Sequence, residues 1–177
     1  MTETSGTVPG HPNHKEVPQI QDRLRKGPPL LLDGATGTEL NRRGVDTGLP
    51  MWSAKALLDA PDVLRAIHRD YVLAGAEIIT ANTFRTHRRS LAAARYAGRA
   101  NMLTKKAVEL ARGAIEDAVP GNSRRAHVAG SIAPLEDCYS PDLVPDSETL
   151  SVEHYEMATT LADAGVDLLL VETMNTI

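Results

Sequence analysis

The sequence predicts an α/β protein built on a parallel β-sheet, and three observations support that fold class. Short apolar segments alternate with amphipathic segments four times along the chain, which is the pattern of right-handed β–α–β crossovers. The last apolar segment, 166–171, is near-continuous, as is typical of a strand buried on both faces of a parallel sheet. Because the chain has one Phe and one Trp, its core must be built from Leu, Val, Ile and Ala. This pattern leaves two architectures open, a doubly wound open sheet and the first half of an eight-stranded barrel.

Composition restricts the classes of protein to which the chain can belong. Its 177 residues are 42% hydrophobic and 24% charged, which suits one domain with a sizeable core. The net charge of −4 provides no basic excess for a phosphate backbone, so we expect no nucleic-acid partner. The apolar segments are too short to cross a bilayer and no apolar signal core is present, so we expect no membrane partner. A lone cysteine, Cys138, cannot form an internal disulfide, and we therefore expect a cytoplasmic location.

The first twenty residues differ in composition from the rest of the chain. They are rich in Gly, Pro, Thr and polar groups and carry no apolar period. Such a segment cannot bury enough surface to offset its chain entropy. We therefore predict a disordered extension over 1–20, followed by a single domain over 21–177.

The first part of the domain is predicted to hold two strands and two helices. Residues 30–32 form a short apolar run that an Asp-Gly pair ends, which indicates a buried strand and a turn. A short helix over 39–43 follows, and Gly44 closes it. A clearer helix spans 59–75, because its apolar residues recur on one stripe. The second strand is predicted at 77–81, directly after this helix.

The second part of the domain repeats the pattern. A long helix covers 103–115, where apolar residues recur in steps of three and four. The third strand is predicted at 127–132. A further helix has apolar residues on one side over 155–162 and is stopped by Gly165. The apolar run at 166–171 is then the fourth strand.

Polar residues follow the predicted strands, and they include two carboxylates. Asp33 and Gly34 follow the first strand, Asn82 and Thr83 the second, and Glu172 the fourth. In either architecture ligands bind beyond the carboxyl ends of the strands, where these side chains converge. The sequence therefore predicts a site for a small polar ligand at this end of the sheet.

Each of these residues also has a purely structural interpretation, which the pattern leaves open. Asp33 and Gly34 form a common turn pair, and Asn82 and Thr83 could bond the loop backbone. Glu172 could cap the next helix or pair with an arginine. A carboxylate that ends an apolar run nevertheless needs a partner or a bound cation, which favours a ligand at Glu172.

Five segments of the chain resemble blocks of the homocysteine S-methyltransferase family. The blocks occur in the family's order and cover the chain from about residue 30 to its end. They are DGATGTEL at 33–40, WSA with ALL at 52–58, IITANTF at 78–84, AGSIAP at 129–134 and LVET at 170–173. The resemblance implies the first half of a TIM (β/α)8 barrel. It also implies transfer of a methyl group from a small donor, such as S-methylmethionine or S-adenosylmethionine, to the homocysteine thiol to form methionine.

The resemblance assigns roles to individual residues. Glu172 would bind the ammonium group of homocysteine, a pairing of charge with charge that suits a strand end. Arg85 stands where the betaine-using branch has an aromatic residue, so betaine is a less suitable donor. The implied substrate residues are Asp33, Gly34, Asn82, Thr83, Phe84 and Glu172, and the implied methyl-donor residue is Trp52.

The family also uses zinc to hold the substrate thiol as a thiolate. The family's zinc ligands come from later strands, in an Asn-Cys block and a Gly-Gly-Cys-Cys block, and this sequence contains neither. Cys138 matches neither position, so we expect zinc for the whole family but no metal ligand in this chain.

Half a barrel has two open edges and an uncovered apolar face, so we expect either self-association or a missing C-terminal half. Two alternatives stay open, a non-catalytic homocysteine-binding or accessory half-barrel and an unrelated α/β enzyme with an open sheet.

Overall fold

Three parallel strands form the sheet of the computed structural model, which describes residues 20–121 and 126–176. The strands are β1 (Ile78–Ala81), β2 (His127–Ile132) and β3 (Leu168–Val171), and they lie side by side in that order. Each corresponds to a predicted strand and differs from it by at most two residues at either end. The predicted extension over 1–20 lies outside the described residues except for its last residue.

Helices lie between the strands, as the alternating pattern predicts. Pro61 occupies the first turn of the helix before β1, and Gly75 follows that helix with a φ of 106°. Asp146 caps the helix before β3 by accepting a hydrogen bond from the Thr149 backbone N–H at 2.9 Å. The helices are α1 (Ile20–Lys26), α2 (Thr36–Arg42), α3 (Ala56–Asp59), α4 (Pro61–Leu73), α5 (Arg88–Ala93), α6 (Ala100–Ala118) and α7 (Ser147–Asp163). Short 3-10 segments lie at Trp52–Lys55, Ala97–Arg99 and Pro141–Leu143.

The predicted first strand, 30–32, is the first point at which the structure differs from the prediction. It forms a single parallel bridge, Leu32 to Ile78, rather than a ladder. The backbone N–H of Asp33 still donates to the Ile78 carbonyl at 3.0 Å, so the segment runs beside β1. Leu31 is 57% exposed and Leu32 45% exposed, so the prediction of a buried strand was wrong. The segment lies at the sheet edge, and nothing in the described chain covers it.

The fourth predicted strand, now β3, is also less buried than the apolar run suggests. Its residues alternate between half-buried and exposed, with Leu169 at 43% and Val171 at 62% exposure. The register places these two side chains on the same face as Gly130 and Ile132. Since α7 packs on that face mainly over β2, the outer edge of β3 is left open within the described residues. The prediction of burial on both faces was therefore wrong for this strand.

Two apolar clusters hold the helices against each other and against the sheet. One joins the sheet to α6 and α7 and includes Ile79, Val128 and Leu161, all fully buried. The other lies among α2, α3, α4 and α6 and includes Leu64 and Leu103. Both clusters are aliphatic, as the scarcity of aromatic residues predicts. No helix of the described residues is long and apolar enough to cross a membrane.

Candidate functional site

A cleft of about 640 Å³ opens at the carboxyl ends of the strands. The segments that follow 30–32, β1, β2 and β3 all contribute to its wall, together with the start of α2. This is the end of the sheet at which a parallel α/β fold places its ligands. Its lining includes six of the seven predicted site residues, namely Asp33, Gly34, Trp52, Asn82, Phe84 and Glu172.

Asp33 is held in the cleft wall by the residue beside it in the sheet. Its carboxylate accepts hydrogen bonds from both the backbone N–H and the hydroxyl of Thr80, each at 2.8 Å. Burial raises the pKa of Asp33, the two Thr80 hydrogen bonds partly oppose that shift, and the charge of Glu172 adds to it. The following residue, Gly34, has no room for a side chain, because a Cβ there would lie 2.7 Å from the Tyr71 hydroxyl oxygen.

Glu172 faces the same cleft from the end of β3. Its carboxylate accepts a hydrogen bond from the Ser131 hydroxyl at 2.5 Å, and its backbone N–H donates to the Ile132 carbonyl at 3.1 Å. None of the salt bridges among the described residues includes Asp33 or Glu172. The two carboxylates therefore give this part of the cleft a negative charge that no nearby lysine or arginine pairs, an arrangement suited to a ligand cation.

Asn82 connects the end of β1 to the Trp52–Lys55 segment. Its side-chain oxygen accepts from the Ser53 hydroxyl at 2.7 Å, and its side-chain N–H donates to the Ser53 carbonyl at 2.8 Å. Thr83 does not line the cleft, in contrast to the prediction. It is 1% exposed, and its hydroxyl donates to the Ser131 carbonyl at 2.9 Å. Thr83 therefore braces the wall from behind rather than facing a ligand.

An aromatic pair forms another part of the wall. The rings of Trp52 and Phe84 meet edge to face, with centroids 5.5 Å apart and an interplanar angle of 75°. The backbone of Trp52 has a φ of 47°, a left-handed conformation that bulky residues rarely adopt. Gly37 makes room for the indole, because a Cβ there would lie 2.8 Å from a ring carbon of Trp52. Aromatic ring faces of this kind attract cations.

The cleft also contains residues that sequence reasoning missed. Arg85 lines it, although it was not among the predicted site residues and its sequence position only made betaine a less suitable donor. Cys138 also lines it, and its carbonyl accepts from the Asn175 side chain at 3.1 Å. The sequence signal that could have identified Cys138 is its position in the loop that follows β2, at the ligand-binding end of the sheet.

A zinc site is not formed by the residues that the structure describes. Across 20–121 and 126–176, no group of three or more His, Cys, Asp or Glu side chains is placed to hold a metal ion. Zinc in proteins takes three or four such ligands. The described residues therefore do not fit the metal, and no chemical step is assigned to one.

Comparison with known proteins identifies methyltransferases among the relatives of this chain. The family model described as homocysteine S-methyltransferase matches residues 30–177. The homocysteine S-methyltransferase of Escherichia coli K12 is 38% identical over a region covering 82% of this chain and 50% of that protein. The selenocysteine methyltransferase of Astragalus bisulcatus is 32% identical, with 89% of this chain and 54% of that protein covered.

Solved structures agree with the sequence comparison. The metallated form of the Escherichia coli homocysteine methyltransferase MmuM superimposes with a TM-score of 0.79 at 35% identity, covering 88% of this chain and 57% of that one. The chain thus spans about half the length of the relatives it matches. The predicted fold class, parallel β/α units of the first half of a TIM barrel, is confirmed, and the alternative of an unrelated open-sheet enzyme was wrong. The chain belongs to the homocysteine S-methyltransferase family.

Proposed function

We propose that this chain forms the substrate-binding half of a homocysteine S-methyltransferase. The whole protein would transfer a methyl group from S-methylmethionine, S-adenosylmethionine or a similar donor to the homocysteine thiol, forming methionine. The observation that carries this proposal is that Asp33 and Glu172, from different strands, face one cleft without a paired lysine or arginine. The family match supports the choice of homocysteine as the amino acid.

The amino-acid part of the proposed site uses charge. The ammonium group of homocysteine would bind Glu172, whose carboxylate the Ser131 hydroxyl orients. Asp33 would add a second acceptor, oriented by Thr80. Because burial raises the pKa of Asp33, a bound cation would favour its charged form and lower that pKa again. Binding would therefore satisfy two carboxylates whose charges repel each other.

The methyl-donor part of the proposed site uses aromatic rings. Trp52 and Phe84 would contact the methyl group of a positively charged sulfonium donor. Zinc, a role in methionine biosynthesis and a cytoplasmic location remain predictions for the whole protein. Zinc would favour the thiolate form of the substrate, and we assign its ligands to later strands of the barrel rather than to this chain.

Calorimetric titration of the purified chain with L-homocysteine tests the amino-acid site. Glu172→Gln keeps the size of the side chain and removes its charge, and we expect the dissociation constant to rise about 10- to 150-fold, the value of a charged hydrogen bond. Glu109→Gln is the matched control, since Glu109 is an exposed residue of α6 outside the cleft. Equal affinity in the Glu172 variant and the unsubstituted chain, or no binding at all, would contradict the proposal.

The alternative of a non-catalytic homocysteine-binding or accessory half-barrel is retained for one reason. The described residues hold the proposed amino-acid site but no metal-ligand group. Metal analysis and a methyl-transfer assay of the whole protein, rather than of this chain alone, separate the two functions, because the proposed function places the zinc ligands outside this chain. Homocysteine binding without metal and without methionine formation favours the alternative, and turnover excludes it.

A further inference from the structure

Arg85 differs in charge from every other ionisable residue of the cleft. Among the described residues that line the cleft, it is the one basic side chain, and Asp33, Asp137 and Glu172 are all acidic. The Arg85 Nε atom is buried and has no hydrogen-bond partner. A buried N–H without a partner costs free energy, so this donor calls for an acceptor.

Neighbouring arginines show that carboxylate partners are available in this region. Arg88 forms a salt bridge with Glu156, and Arg89 forms salt bridges with Glu136 and Glu153. Arg85 takes part in none of the salt bridges of the described chain, although acidic residues line the same cleft. The acceptor that suits Arg85 is therefore a group on a ligand.

The position of Arg85 relative to the aromatic pair indicates which ligand this is. Its guanidinium carbon lies 5.9 Å from the centroid of the Phe84 ring, and the Phe84 ring also contacts the ring of Trp52. A cation held against Trp52 would thus lie one ring away from the guanidinium. The two ends of the arrangement suit a molecule that carries an onium group and a carboxylate, and guanidinium groups bind carboxylates well.

We infer that Arg85 is a specificity-determining residue that binds the carboxylate of the methyl donor. This inference rests on the proposed function and deepens it by naming the residue of this chain that selects methyl donors with a carboxylate. Homocysteine keeps its own ammonium site at Asp33 and Glu172. Onium donors without a carboxylate are then poor ligands.

The experiment uses the fluorescence of Trp52, the only Trp of the sequence, to follow titration of the purified chain. The ligands are S-methylmethionine and its methyl ester, which lacks the carboxylate. The variants are Arg85→Gln, Arg85→Lys and the control Arg25→Gln, which removes the same charge from an exposed site on α1. Circular dichroism checks that each variant is folded.

We expect Arg85→Gln to weaken S-methylmethionine binding at least tenfold, Arg85→Lys to weaken it less, and Arg25→Gln to leave it unchanged. The ester binds the unsubstituted chain as weakly as S-methylmethionine binds Arg85→Gln, and the Gln substitution does not weaken it further. If Arg85→Gln does not fold, the inference is tested by comparing the binding of S-methylmethionine and of its methyl ester to the unsubstituted chain.

Three results would overturn the inference: equal binding of acid and ester, unchanged S-methylmethionine binding by folded Arg85→Gln, or no donor binding by the folded, unsubstituted chain. A variant that loses homocysteine rather than the donor would also overturn it, because Arg85 would then serve the amino acid. All four leave the proposed function standing as long as L-homocysteine binds in calorimetry. Failure of homocysteine to bind contradicts the proposed function itself.

Discussion

Replacing Gly37 by alanine probes how the aromatic wall of the cleft is positioned. The new Cβ would lie 2.8 Å from Cζ2 and 3.2 Å from Cε2 of the Trp52 indole. Carbon atoms in contact prefer a separation of about 3.5 Å or more, so the ring must move by roughly 0.7 Å. Trp52 is 38% exposed and can move towards solvent, but doing so disrupts its edge-to-face contact with Phe84.

The expected loss of stability lies in the lower part of the range of about 1–3 kcal/mol that is typical of overpacked sites. We predict that Gly37→Ala lowers the free energy of unfolding by about 1–2 kcal/mol, measured by urea denaturation followed by circular dichroism. The emission spectrum of Trp52 should also shift to longer wavelength, because the indole becomes more exposed. Binding of a sulfonium donor should weaken with it.

Gly98→Ala is the matched control for this substitution. A Cβ at Gly98 meets no atom within 4 Å, and its φ is not positive. This variant should change the free energy of unfolding by no more than about 0.5 kcal/mol and leave the emission spectrum unchanged. If Gly37→Ala has the same free energy of unfolding and the same emission spectrum as the control, Gly37 does not set the position of the indole.

Two further predictions concern stability. Burial lowers the pKa of His68 and of His87 from the ordinary value of 6.5 to about 4 in the folded chain. Between these two pH values the unfolded chain binds more protons than the folded chain. The free energy of unfolding therefore falls as the pH drops from about 6.5 towards 4. His68→Leu should reduce the slope of unfolding free energy against pH in that window by up to about 1.4 kcal/mol per pH unit, and an unchanged slope in urea denaturation would contradict this. Leu64 is fully buried in α4, and Leu64→Ala should lower the free energy of unfolding by about 2–5 kcal/mol in the same assay. The control Leu73→Ala, at an exposed position of the same helix, should lower it by less than about 1 kcal/mol.

The residues that carry the candidate site could be predicted because a parallel sheet collects its strand ends. Asp33 and Glu172 are 139 positions apart in the sequence, yet both follow apolar runs and both face the cleft. That inference needs only the positions of the strands, and periodicity provides them. The helices α4, α6 and α7 could be predicted in the same way, from the recurrence of apolar residues along the sequence.

Other features depend on neighbours that a local pattern does not contain. An apolar run predicts a strand but does not say whether anything covers it, which is why the burial of Leu31 and Val171 was overestimated. Thr83 faces away from the cleft because the chain turns directly after β1, where its backbone N–H donates to the Ala81 carbonyl. The short helices α3 and α5 have too few turns to show a period. The place of Arg85 in the cleft depends on the same turn.

A crystal structure of the chain with bound L-homocysteine would show directly whether Asp33 and Glu172 bind one ligand cation. We predict one ligand in the cleft, with its ammonium nitrogen about 2.7–2.9 Å from a carboxylate oxygen of Glu172 and in contact with Asp33. A ligand bound elsewhere on the chain, or one in the cleft with its ammonium turned away from both carboxylates, would contradict it.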